Sequence, residues 1–314
     1  MGNICAVVVD PRAPGRLVIQ EVPEPVPLPN EALVRVHAFS LNRGEVRRSL
    51  AAAAGWRPGW DVAGTIEAAA ADGSGPPVGA RVVGLLPSAA WAQVVAVPTT
   101  NLAEIPSSVS FAQASTLPVA GLTALYTLEK GGNLLDRAVL ITGASGGVGY
   151  FAIQLARLAG ARVVGLVHQE AHARVAREAG ANLVVAGDPV GAAAHGPYQL
   201  ILDSVGGKTL GAALSMLARR GICVNFGITE SDMTTFNVQQ FYMTGGATLR
   251  GFFLFDELGA NPAGPNLARL VDLVANGKLR PCIEIEQPWT SIGAVAQDLY
   301  ARRYPGKAVL LVQG

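Results

Sequence analysis

The apolar positions of this chain change rhythm about a third of the way along. Up to about residue 115 they come in short β-branched runs separated by Pro and Gly: ALVRVHAF (32–39), VAGTIEA (62–68), ARVVGL (80–85) and AQVVAV (92–97), with MGNICAVVVD reading as a first strand. Apolar runs of four to eight residues between turn formers predict strands, here an antiparallel β domain. The segment EVPEPVPLPN (21–30) reads as a surface connector, because each proline removes a donor that a central strand needs. From about Leu117 the pattern alternates. It predicts helices at 117–129 and 170–179, strands at 182–185 and 200–203, a helix ending near 217 and a strand at 222–227. Such alternation predicts a parallel sheet. Further on, ATLRGFFLF (247–255) predicts a strand, 266–275 a helix, Ser291 a cap for a helix running to 302, and KAVLLV (307–312) a closing strand.

One stretch carries chemistry in its order of elements. Residues 138–167, AVLITGASGGVGYFAIQLARLAGARVVGLV, give an apolar strand, a glycine turn, an amphipathic helix and a second apolar strand. Ala144, Gly146 and Gly149 fill the three positions of GxGxxG spacing, with alanine in the first place, so the backbone can approach a pyrophosphate at the helix N-terminus. Isolated, a glycine pattern is weak. Its placement after a strand and before a helix makes it a dinucleotide-binding βαβ unit.

Composition narrows the classes. The 314 residues fit two domains; half are apolar and 15% charged, and 24 basic against 23 acidic residues leave a formal net charge of +1. Such a balance argues against partners held by charge, nucleic acid or anionic membrane, and favours a small-molecule substrate. The three cysteines, Cys5, Cys223 and Cys282, are far apart, which predicts neither a disulfide framework nor a cysteine zinc site and points to a reducing compartment. The N-terminus lacks a signal-peptide pattern and no run of eighteen residues is purely apolar, so a soluble, cytoplasmic protein is expected. His168 and His172 stand four apart but match neither HExxH nor HxxEH, and no metal role is expected for them.

Several motifs, in one order, resemble the medium-chain dehydrogenase/reductase superfamily, in its zinc-free quinone oxidoreductase and enoyl reductase branch. They are SLNRGEVRR (40–48), PGWDVAGTIE (58–67), LPVAGLTALYTL (117–128), GASGGVGYFAIQLARLAGA (143–161), LDSVGG (202–207), NFG (225–227) and GKAVLLV (306–312). The resemblance covers essentially the whole chain. It implies an α/β protein: an N-terminal GroES-like, β-rich catalytic domain (1–117, completed by 256–314), a Rossmann doubly wound parallel-sheet domain (118–255), and an active cleft between them. Zinc-dependent members carry a ligating cysteine near the position of Asn42 and a histidine where Trp60 stands, and neither is present. With three ligands required at a catalytic zinc, the resemblance implies metal-free hydride delivery to an activated acceptor such as an enone, enoyl thioester or quinone.

The resemblance also assigns residues. Thr123, the turn residues Ala144, Ser145, Gly146, Gly147 and Val148, and Ser204, Phe226, Gly227, Phe253 and Leu254 lie where relatives meet the cofactor. The second Rossmann strand ends at Val167 rather than at an acid that would hold the ribose hydroxyls of NADH; with His168, His172 and Arg174 following, NADPH is the expected cofactor. Asn42 is the candidate hydrogen-bond donor to the acceptor oxygen, its ordinary alternative being a turn residue before Gly44. Where relatives often carry a tyrosine, this chain has Arg47, which cannot serve as a general acid but can bind an anionic or carbonyl-bearing substrate. Trp60 lines or supports the same site, with Asp61 beside it. A homodimer paired along the 247–255 edge is expected, and the alternative to an enzyme is an NADPH-binding sensor or an accessory biosynthetic protein without turnover.

Overall fold

A computed structural model describes residues 2–312. In chain order it gives β1 (Asn3–Val9), β2 (Leu17–Pro23), β3 (Glu31–Ser40), α1 (Arg43–Ala51), β4 (Asp61–Ala68), β5 (Arg81–Leu85), β6 (Val94–Pro98), β7 (Leu102–Glu104) and α2 (Phe111–Ser115). There follow α3 (Leu122–Glu129), β8 (Ala138–Thr142), α4 (Gly147–Leu158), β9 (Arg162–Val167), α5 (Ala173–Glu178), β10 (Leu183–Ala186), β11 (Tyr198–Asp203), α6 (Gly207–Leu214), β12 (Leu217–Asn225), α7 (Val238–Met243) and β13 (Thr248–Gly251). The chain closes with α8 (Leu254–Ala260), α9 (Ala263–Ala275), β14 (Ile283–Pro288), α10 (Ile292–Tyr300) and β15 (Lys307–Leu311). It divides into two compact units: residues up to 122 with those from 258 onward, and residues 123–257.

The first unit is built on a seven-stranded sheet in the order β14-β15-β3-β4-β5-β7, with β6 also pairing β3, beside a two-stranded β1-β2 ladder. Its pairings are antiparallel apart from β14 with β15. Alternate residues of β3 (Ala32, Val34, Val36, Ala38) are buried, as a one-sided strand requires. Phe39 is stacked on Trp91 and edge-on to Trp289, so the C-terminal segment supplies part of this core.

The second unit is a six-stranded sheet ordered β10-β9-β8-β11-β12-β13, parallel throughout. Counted from β8, that is the 3-2-1-4-5-6 order of a dinucleotide-binding Rossmann sheet. Every residue of β8 is buried, the mark of a strand covered on both faces.

Three expected elements are corrected. The strand over 247–255 is only the four residues of β13: its partner β12 ends at Asn225, and the chain turns into α8 from Leu254. The helix over 117–129 opens as a π-turn at Leu117–Gly121, because Pro118 has no N–H and the Val119 N–H is given to the Asp61 carboxylate 2.9 Å away. The connector over 21–30 begins as strand: Glu21–Pro23 completes β2, where proline is tolerated on an edge. Ser291 does stand at the N-cap of α10, though its side chain makes no capping bond.

Candidate functional site

In the second unit the chain leaves β8 through Gly143, whose φ of +61° is left-handed, and enters α4 at Gly146. Gly146 N–H donates to the Gly143 carbonyl (2.9 Å) and Ala144 N–H to Leu166 O of β9 (3.0 Å), which fixes the turn. A Cβ on Gly149 would lie 2.5 Å from the Gly143 carbonyl oxygen, so only glycine lets the helix seat this closely. The helix start carries no side-chain cap. Its first N–H groups, on Gly147 and Val148, thus face outward with the positive end of the helix dipole, an arrangement suited to a phosphate. A dinucleotide fits this cradle, whose close seat of helix on turn any side chain at Gly149 would break.

A buried polar knot braces the same end of the sheet. Asp203, at the end of β11, accepts from Thr142 Oγ1 (2.7 Å), Gly206 N–H (2.9 Å) and Asn225 Nδ2 (2.8 Å), while Ser204 Oγ donates to the Thr142 carbonyl. Burial pushes the Asp203 carboxyl up, against the pull of these donors. Three adjacent strand ends are thereby tied in one register at the carboxyl edge where such sheets bind ligands.

The other cofactor candidates fall as follows. Ala144 is fully buried; Ser145, Gly146, Gly147 and Val148 are half-buried along the turn. Thr123 is buried in α3, while Phe226 and Gly227 are half-buried just after β12. Val167 is buried at the end of β9 and His168 is exposed beyond it, with His172 half-buried. Arg174 is ion-paired with Glu178 and Arg177 with Glu170, so the two guanidiniums lie in the helix's own charge pattern. Phe253 is 66% exposed against Phe255, whereas Leu254 turns inward at 5%.

In the first unit Asn42 does not present an open amide. It is the N-cap of α1 and forms a capping box with Glu45, whose Oε1 accepts the Asn42 N–H (2.6 Å) and an Nδ2 hydrogen (3.1 Å). The second Nδ2 hydrogen goes to Asp61 Oδ2 (2.7 Å), and Oδ1 accepts from Lys307 Nζ (2.6 Å). Lys307 also donates to the Leu41 carbonyl (2.9 Å) and lies 3.4 Å from Asp61 Oδ2, which Ser40 Oγ bonds as well. Glu45 and Asp61 are wholly buried and Lys307 is 3% exposed. All three donors of the ammonium are used inside the fold. Arg47, one turn along α1, is exposed, and Arg48 lies over the Trp56 ring. Half-buried Trp60 donates Nε1–H to the Pro87 carbonyl (3.1 Å) and packs its ring on Gly44, where a Cβ would come within 2.8 Å of it.

Lys307 and Glu45 were absent from the candidates read off the sequence. The N-x-x-E spacing of Asn42 and Glu45 announces a capping box, and a lysine opening an apolar strand is unusual, but neither signal says that the two meet. A zinc ion does not fit here. Asn42 and Asp61 are engaged by an internal cation, and among the described residues no three His, Cys, Asp or Glu side chains are grouped so as to hold a metal.

Comparison with known proteins agrees with both units. Residues 28–107 match the model of the alcohol dehydrogenase GroES-like domain, and residues 147–272 that of the zinc-binding dehydrogenase. The quinone oxidoreductase of Pseudomonas aeruginosa is 30% identical, over 91% of this chain and 92% of that one. The acryloyl-coenzyme A reductase of Sulfurisphaera tokodaii is 29% identical, over 67% and 72%. The solved structure of mycobacterial Rv1454c complexed with NADPH superposes with a TM-score of 0.88 at 27% identity, over 98% of this chain and 99% of that one.

Proposed function

The chain belongs to the quinone oxidoreductase branch of the medium-chain dehydrogenase/reductase superfamily, and from that premise we propose that this oxidoreductase uses NADPH, without zinc, to reduce a quinone or another conjugated acceptor. The observation that carries the reading is the uncapped start of α4 behind its glycine turn. Gly147 and Val148 would hold the pyrophosphate there, and at the end of β9 Val167 and His168 stand where an acid would repel a ribose phosphate. When bound, the nicotinamide supplies hydride to the electron-poor carbon of the acceptor. No Lewis acid is needed for an acceptor already activated by conjugation.

Within this reading Arg47 is the residue that meets the acceptor, as a fixed positive donor for a carbonyl or carboxylate oxygen. Asn42, with each polar atom engaged, contributes by holding the start of α1 rather than by bonding the acceptor oxygen itself. The α-carbon proton comes from water or a cofactor hydroxyl, since arginine holds its proton at neutral pH. The proposal includes a cytoplasmic setting and a homodimer; no helix among the described residues is long and apolar enough to cross a membrane.

The test is NADPH oxidation followed against a panel of quinones, enones and enoyl thioesters, with and without a chelator. Turnover with at least one class, unchanged by EDTA, is expected. Loss of activity restored by zinc overturns the metal-free reading. Tight NADPH binding with no turnover across the panel favours a cofactor-binding sensor instead.

A further inference from the structure

The first unit buries two carboxylic acids and one ammonium with no other ion at hand: Glu45 from α1, Asp61 from β4 and Lys307 from β15. Their hydrogen bonds are unequal. Asp61 takes donors at both oxygens, from the Val119 N–H at Oδ1 and from Ser40, Asn42 and Lys307 at Oδ2. Glu45 takes donors at Oε1 alone, both from Asn42, while its Oε2 is buried without a partner. A carboxylate leaves such an oxygen stranded only at a large desolvation cost, whereas a neutral acid leaves there an uncharged hydroxyl, which is stranded at a smaller one.

The geometry points to Glu45 as a proton-carrying positioning residue: its uncharged carboxylic acid leaves the Asp61–Lys307 pair balanced and pins Asn42, and so the start of the helix that carries Arg47. Asp61 is then the carboxylate of the cluster and Lys307 its ammonium, and the buried set carries no net charge. Burial, and next the Asp61 carboxylate, push the Glu45 carboxyl well above its usual range, with Lys307 acting the other way. The remaining elements packed on α1 bring no further charge to bear: α10 bears Asp298, paired with Arg303, and the turn at Pro14–Arg16 bears Arg16, bonded to the Ala52 carbonyl. Arg43, on α1 itself, donates to the Leu299 and Tyr300 carbonyls at the end of α10.

The sign of the pH effect follows. A carboxyl whose folded pKa is raised binds its proton in the folded chain and loses it in the unfolded one, so its support is complete below the unfolded value and declines as pH climbs towards the folded one. Above the unfolded value each unit of pH therefore shifts the unfolding equilibrium by up to about tenfold towards the unfolded chain, until the folded value is passed. Lys307, whose pKa burial lowers, acts with the opposite sign, favouring the folded chain as pH rises.

Glu45→Gln keeps the shape and removes the proton. Urea unfolding of the wild type and E45Q from about pH 5 to pH 8 should show a decline with rising pH that is steeper in the wild type, by up to about tenfold per unit. Parallel curves overturn the assignment. The infrared spectrum of the wild type near pH 7 should contain a protonated-carboxyl C=O stretch that is weaker in E45Q. Asp203 is a second buried acid pushed up, so the band must also persist in Asp203→Asn. Absence of the band from Asp203→Asn sinks the proposal whether or not E45Q folds. The positioning role rests on Arg47 meeting the acceptor, and is read separately: kcat/KM should fall at alkaline pH in the wild type through an ionisation missing from E45Q, and superimposed profiles refute it. Should no acceptor be turned over, the infrared and unfolding data still decide the state of Glu45.

Discussion

Asn42 was expected to offer a hydrogen bond to a substrate oxygen and is found spending its amide inside the fold. Its two amide hydrogens go to Glu45 Oε1 and Asp61 Oδ2, and Lys307 arrives from the far end of the sequence to bond Asn42 Oδ1 and pair with buried Asp61. Removing one member of a buried ion pair leaves the other uncompensated, at a cost of about 3–5 kcal/mol. Lys307→Met should lower the unfolding free energy by that amount in urea titrations, and a loss below about 1 kcal/mol, the scale of an exposed pair, would show that Asp61 is solvated after all. The family resemblance named Asn42, Trp60 and Asp61 as a group. It could not name their partner, because a contact across 265 residues leaves no local trace.

At the scale of the element, the strand-turn-helix at 138–158 was legible in full, since its glycines, its apolar strand and its amphipathic helix are all set by neighbours in sequence. Gly146 is half-buried, and a Cβ there would approach only the Gly143 oxygen, at 3.3 Å. Gly146→Trp should therefore leave the turn folded and fill the phosphate cradle, weakening NADPH binding at least about a hundredfold, or 2.7 kcal/mol. An unaltered dissociation constant in a fluorescence titration would remove the cofactor from this turn. Elements that depend on a distant partner were read less well. The π-turn at Leu117–Gly121 exists because the Asp61 carboxylate takes the Val119 N–H, and β13 stops where β12 stops. Apolar content at 247–255 satisfies a strand or a helix start equally, and pairing decides between them.

For the whole molecule, the chain passes from one unit to the other at Leu122 and returns at Leu258, so the first unit is assembled from both ends of the sequence. The second unit ends in β13, paired on one side only and exposed at all four residues. Near it in sequence, Met233, Val238, Tyr242, Met243 and Phe253 are each more than 60% exposed. An open strand edge with apolar side chains around it invites pairing, and a second copy supplies a self-complementary edge. Sedimentation should return twice the 32.4 kDa chain mass, and the double substitution Met243→Glu with Leu249→Glu should return the single mass. A monomeric wild type would refute the dimer.

The sequence by itself determined the two kinds of architecture, the βαβ unit and the phosphate turn, because these follow from periodicity and from glycines whose constraints are local. Only the tertiary structure decided what surrounds Asn42. Two acids and a lysine, scattered over Glu45, Asp61 and Lys307, become one buried cluster when β3, β4 and β15 lie side by side, and their protonation is a property of that enclosure rather than of any stretch of chain.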